Sequence, residues 1–74
     1  MEDYGRVYLR LEELIKGKGI SKTQLSYQTR LSMTQIARFC KNETVRIDFA
    51  TIAKLCTVLG CSISDLIIYE PPEV

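Results

Sequence analysis

Near the start of the chain, Val7, Leu11 and Ile15 recur every four positions, with Tyr8 and Leu14 beside them. A four-residue recurrence lines one face of an α-helix. Arg6, Arg10, Glu12, Glu13 and Lys16 fall on the other face, so the pattern predicts a first helix from Tyr4 to about Lys16. Gly17 and Gly19 follow, and glycine accepts the left-handed backbone that ends a helix.

The next stretch contains nearly the same phrase twice, "ISKTQL" from Ile20 to Leu25 and "LSMTQI" from Leu31 to Ile36. Each copy has the parts of a helix start. Ser21 is placed to accept from the N–H of Gln24 while the Gln24 side chain reaches back to the N–H of Ser21. Ile20 and Leu25 form an apolar staple across that cap. Ser32, Gln35, Leu31 and Ile36 repeat the arrangement. Two helices begun so close together must cross at a three-residue turn around Arg30 and Leu31, and Ser26 is a small residue where the first backs onto the second.

Downstream, Asp48 caps a fourth helix whose apolar positions are Phe49, Ile52, Leu55, Cys56 and Leu59, closed by Gly60. Ser62 and Asp65 open a last short helix through Leu66, Ile67 and Ile68, ended by Pro71 and Pro72. No segment alternates with period two for long enough to predict a strand. The expectation is therefore an all-α fold of five helices with short connections, a single domain over residues 1–70, and an acidic Pro-containing tail at 71–74.

On the second helix of the close pair, Ile36, Phe39 and Cys40 share the inward stripe. Thr34, Arg38 and Lys41 run along the centre of the outward one, with Ala37 at its margin and Met33 and Gln35 flanking its N-terminal end. That outward face is cationic and rich in hydrogen-bonding groups.

Charge sharpens this picture. The 74 residues carry a net charge of only +1, yet its distribution is uneven. Residues 1–20 hold four cations and four anions. Residues 21–46 hold Lys22, Arg30, Arg38, Lys41 and Arg46 against Glu43 alone. Residues 47–74 hold Lys54 against Asp48, Asp65, Glu70 and Glu73. The basic middle coincides with the paired helices.

Other chemistry is sparse. Apolar residues make up 46% and charged residues 26%, a globular balance that argues against disorder. The N-terminus lacks the apolar core of a signal peptide, and no stretch approaches the roughly 18 apolar residues of a membrane span. Cys40, Cys56 and Cys61 are odd in number and there is no histidine. A disulfide framework or a metal site is thus not expected. Reduced, mostly buried thiols in a cytoplasmic protein are, with Tyr4, Tyr8, Tyr27 and Tyr69 in core and rim packing. No cofactor or small-molecule ligand is expected, nor an enzyme: there is no Gly-rich phosphate loop, no recognisable carboxylate pair and too little chain for a deep pocket.

The first helix, "ISKTQLSYQTRLSMTQIARFCKN", "RIDFATIAKLCTVLG" and "CSISDLI" together resemble the Cro/C1-type (XRE, lambda-repressor-like) helix-turn-helix family over about residues 5–69. The resemblance implies a compact five-helix lambda-repressor-like domain with the helix-turn-helix at helices 2 and 3, the latter lying in the major groove of double-stranded DNA. It implies that Met33, Thr34 and Arg38 face bases. Ser32 and Gln35 would touch phosphate or share in base contact, and Lys22, Lys41 and Arg46 would approach the backbone. Met33 can equally cover the turn. Two positions depart from the family pattern. Arg30 stands where glycine is usual, at a cost on the order of 1 kcal/mol for a positive φ. Lys41-Asn42 replaces Asn-Gly, with Asn42 the next-best left-handed residue.

One recognition helix reads few base pairs, so such domains act on paired half-sites about 34 Å apart. A homodimer is therefore expected, with Ile67 or Ile68, together with Tyr69, in the two-fold contact, unless that apolar run folds back on the first helix. Two functions remain in view. One is a sequence-specific DNA-binding regulator, a small repressor of a palindromic operator. The other is an antitoxin-like or polymerase-contacting module that uses the same outer stripe on a protein.

Overall fold

The computed structural model describes residues 3–73; Met1, Glu2 and Val74, at the ends of the expected domain and tail, lie outside them. The elements run β1 (Arg6–Leu9), α1 (Leu11–Lys18), α2 (Lys22–Thr29), α3 (Met33–Cys40), α4 (Phe49–Leu59), α5 (Ile63–Leu66) and β2 (Ile67–Glu70). The five helices are the expected ones. The strands are not, and all-α is only approximate.

Both ends of the chain pair with each other. β1 and β2 form a two-stranded antiparallel ribbon in the register Arg6–Glu70, Val7–Tyr69, Tyr8–Ile68 and Leu9–Ile67. The stripe read as a helix from Tyr4 is thus a strand followed by a helix. "RVYL" and "IIYE" are rich in β-branched and aromatic residues, but each is too short to alternate visibly, and the partner lies some sixty residues away. Ile67 and Ile68 likewise belong to β2 instead of prolonging α5. Arg10 joins the two regimes: its N–H donates to the Leu66 carbonyl at 2.8 Å, and its guanidinium holds Glu13 at 2.9 Å in the first turn of α1.

At Gly5 (φ 79°) the chain enters the ribbon so close to its partner that a Cβ would overlap the Glu70 carbonyl oxygen and the backbone of Pro71 and Pro72. Only glycine fits there. Helix α1 runs through Gly17 to Lys18, two residues beyond the expected end, and closes at Gly19.

Among the described residues, ten from β1, the five helices and the α2–α3 turn form the core: Leu9, Leu11, Ile15, Leu25, Leu31, Ile36, Phe39, Leu55, Leu59 and Leu66, with Ile67 of β2 packed against it. Cys40, Cys56 and Cys61 are half-buried free thiols at its edge, less enclosed than expected. Phe49 departs further from the sequence pattern. As the first residue of α4 it leans toward the helix N-terminus, past the rim of the core, and is 89% exposed. Of the tyrosines, Tyr8 and Tyr69 lie in the ribbon, Tyr4 precedes it, and Tyr27 on α2 is exposed rather than packed as expected.

Candidate nucleic-acid interface

The two doubled phrases build matching helix starts. The Gln24 N–H donates to Ser21 Oγ, and the Ser21 N–H donates to Gln24 Oε1, both at 3.0 Å. The Gln35 N–H donates to Ser32 Oγ at 3.1 Å, and the Ser32 N–H donates to Gln35 Oε1 at 3.0 Å. Each box satisfies donors that a bare helix end would leave unpaired.

The turn between α2 and α3 is fixed from both sides. Arg30 takes the left-handed conformation (φ 63°), with its N–H donating to the Ser26 carbonyl at 2.8 Å. The Ser26 hydroxyl donates to the Leu31 carbonyl at 2.6 Å, which only a small polar side chain can do at this crossing. Buried Thr29 donates back to the Leu25 carbonyl at 2.7 Å and accepts from the Leu31 N–H at 3.3 Å. Leu31, Ile36 and Phe39 then seat α3 on the core. The relation between the two helices is set by packing and by hydrogen bonds to the turn itself.

This seating leaves Met33, Thr34, Gln35 and Arg38 exposed on α3, with Ser32 at its start and Lys41 and Arg46 beyond its end. Among the described residues, Arg30, Arg38, Lys41 and Arg46 make no ion pair, so their charge is open to an external anion. Ser32 and Gln35 are occupied with each other in the capping box and can offer only their remaining hydrogen-bonding capacity.

Lys22 differs from the other cations. It is half-buried, and its ammonium lies 3.4 Å from Glu12 Oε2 on α1, while Lys16 lies 3.5 Å from Glu12 Oε1. Oε2 is buried and makes no well-formed hydrogen bond, so the Lys22 contact is an ion pair at long range. A hydrogen bond from the Cys40 thiol, followed by the Lys22 charge, holds the Glu12 carboxyl below its ordinary range. Burial, and then that same bond to the carboxylate, push the Cys40 thiol up to about 11. Glu12 thus ties α1 to the start of α2 and the end of α3. Spacing hinted at its pair with Lys16, but nothing local hinted at Lys22 or Cys40.

Asn42 is the other participant the sequence pattern understated. It adopts the expected left-handed conformation (φ 58°), and its amide also grips the Leu9 backbone, fixing the loop after α3 to the ribbon.

A family profile described as Cro/C1-type HTH DNA-binding domain matches residues 10–72. The chain belongs to that family. The match covers both helix starts, the turn and the whole of α3, so this Cro/C1-type domain is a DNA-binding one by membership. No curated protein sequence matches the chain significantly. Two solved structures are similar in fold. One is a Bacteroides fragilis protein to which DNA binding is ascribed, with TM-score 0.77 and 21% identity over 85% of this chain and 100% of that one. The other is the transcriptional regulator VanUg, with TM-score 0.73 and 22% identity over 96% of this chain and 93% of that one. At such identities the likeness concerns the fold. Among the described residues of this Cro/C1-type domain, no helix is long and apolar enough to cross a membrane, and no three His, Cys, Asp or Glu residues are grouped to hold a metal.

Proposed function

We propose that this domain is a sequence-specific transcriptional regulator of the cytoplasm, a small repressor that binds a palindromic operator as a homodimer. The observation that carries the reading is the outward stripe of α3. Thr34 and Arg38 stand exposed between a capped helix start and the unpaired cations Lys41 and Arg46. In this reading α3 lies in the major groove, with Met33, Thr34 and Arg38 at base edges. Arg38 donates two hydrogen bonds to O6 and N7 of a guanine, a contact that discriminates by roughly 1–3 kcal/mol. Ser32, Gln35, Lys41 and Arg46 hold the phosphate backbone, and Lys22 does so to the extent that Glu12 releases it. β2 contributes Ile67 or Ile68, with Tyr69, to the two-fold contact.

Selection of bound sequences from a random duplex pool tests this. The expected product is an inverted repeat whose half-sites lie one helical turn apart, and Arg38→Ala should lose one guanine per half-site from the consensus. Recovery of no enriched sequence would sink the reading.

The exposed apolar side chains of Phe49 and Val45 favour a second reading, in which the domain docks on a protein such as a toxin or a polymerase subunit. Salt separates the two: DNA binding weakens steeply as counterions compete, and apolar docking barely responds.

A further inference from the structure

The apolar side chains left exposed are not scattered. Among the described residues, eight large hydrophobic ones are exposed: Met33 lies on α3, Tyr27 on α2 and Tyr4 ahead of the ribbon. The other five, Val7, Val45, Phe49, Ile63 and Tyr69, are gathered around half-buried Ile67. Ile67 walls two adjoining depressions. One is a cleft of about 160 Å³ shared with Val7 and Val45, and the other a groove of about 460 Å³ between α4 and α5, shared with Phe49 and Ile63. Val7 and Tyr69 are opposite each other in the ribbon and so point to the same side as their strand neighbours two positions along, Leu9 and Ile67. Ile68 points to the other side, where it faces Tyr8, over which the Arg6 guanidinium lies at 4.6 Å.

The geometry points to this face as the seat of a second copy of the chain, related by a two-fold axis. Three features favour that occupant. The first is charge. In a two-fold contact a patch meets its own image, so a face of one sign repels itself, whereas these six side chains carry no charge. The rim holds both signs in Arg46 and Asp48, and a two-fold operation can set them against each other.

The second is area. An aromatic side chain presents about 150–250 Å² and a branched aliphatic one somewhat less. At the exposures found, 95% for Val45, 89% for Phe49, 65% for Val7, 62% for Ile63 and 60% for Tyr69, the face offers on the order of 600 Å² per copy. Two copies would bury about 1,200 Å², the low end of specific interfaces. Such a dimer is weak when free and completed on DNA.

The third is shape and place. Phe49 is both a wall of the α4–α5 groove and its most exposed neighbour, so each copy can insert Phe49 into the other's groove, against Ile52, Cys56 and Ile63. The face begins in the loop that directly follows α3, which sets two recognition helices on the same side of the pair. This inference rests on the proposed binding of paired half-sites and names the surface that pairs them.

Sedimentation velocity of the free protein over a wide concentration series tests the face without DNA. Wild type should shift from monomer to dimer in the upper micromolar range. Phe49→Asp and Ile63→Lys, two changes at exposed positions on α4 and α5, should each stay monomeric at concentrations where wild type is paired, with unchanged helical circular dichroism. Tyr27→Lys, a change at an exposed aromatic on α2 away from this face, should pair as wild type does. On DNA, Phe49→Asp should bind a single half-site as well as wild type and the inverted repeat at least tenfold more weakly. A wild type that remains monomeric throughout, or face variants that still dimerise, would overturn the inference. Dimers abolished in the face variants, with no duplex bound by wild type, would uphold the face and remove the DNA reading instead.

Discussion

The Asn42 side chain takes up both backbone hydrogen-bonding groups of Leu9. The Leu9 N–H donates to Asn42 Oδ1 at 2.6 Å, and Asn42 Nδ2 donates to the Leu9 carbonyl at 3.0 Å. The same residue holds the left-handed turn that follows α3. One amide therefore couples the exit of α3 to the terminal ribbon, 33 residues away in sequence. Asn42→Ala loses the clamp and also places an alanine at positive φ. It should cost on the order of 2–3 kcal/mol in urea unfolding. Asn42→Gly keeps the turn and loses only the clamp, so it should fall between wild type and alanine. Equal losses in the two variants would show that backbone conformation contributes nothing.

Arg30 offers the opposite case, a residue in a conformation that glycine would hold with less strain. Its φ of 63° closes α2 through the Ser26 carbonyl. Arg30→Gly removes the Cβ crowding, partly offset by the greater freedom of glycine in the unfolded chain. A net gain of about 0.5–1 kcal/mol is expected, seen as a higher urea midpoint with an unchanged slope. The guanidinium is exposed and unpaired among the described residues, so the same variant should bind DNA with a shallower salt dependence. A gain in stability without that change would mean that Arg30 lies away from the duplex.

Much of the fold was legible because its determinants are local. The capping boxes at Ser21 and Ser32 and the cap at Asp48 need only residues three apart. They came out at hydrogen-bond distances, as did the left-handed turns at Arg30 and Asn42. The inward positions Ile36 and Phe39 and the outward positions Thr34 and Arg38 follow from helical period alone. What stayed hidden depends on partners far along the chain. Val7 and Tyr8 satisfy a helical recurrence with Leu11 as well as they satisfy a strand, and only pairing with Tyr69 and Ile68 decides the matter. Lys22 reads as an exposed cation until α1 brings Glu12 beside it. Phe49 reads as core because period says which face a residue takes, not where along the helix the core stops.

The Cys40–Glu12 contact gives stability a definite pH dependence. The Cys40 thiol is raised from 9.0 to about 11 in the folded protein, chiefly by burial and then by its bond to Glu12. A folded pKa above the unfolded one means that the folded state favours the protonated thiol. The associated stability is complete below about pH 9 and is lost as pH rises toward 11. Glu12 is shifted the other way, so its contribution is present above its ordinary pKa of 4.5 and is lost as pH falls below it. Cys40→Ala removes the thiol from both. Its unfolding free energy should therefore decline less than that of wild type between pH 9 and 11, and less on acidification below pH 4.5. Parallel curves for the two proteins in the alkaline window would refute the assignment.

Salt dependence of binding can rank the cations, because Glu12 treats them unequally. A side chain that neutralises one phosphate contributes about 0.9 to the slope of log affinity against log salt. Lys41 is exposed and unpaired among the described residues, so Lys41→Ala should shallow the slope by about one. The Lys22 ammonium lies 3.4 Å from Glu12, which already supplies an anion, and Lys22→Ala should change the slope by distinctly less. Glu12→Gln frees Lys22 and Lys16 together. It should raise affinity at low salt, steepen the slope, and make a second change, Lys22→Ala, as consequential as Lys41→Ala. If the two lysines have equal effects while Glu12 is intact, the ion pair opens on binding, and Lys22 reaches the phosphates despite its partner.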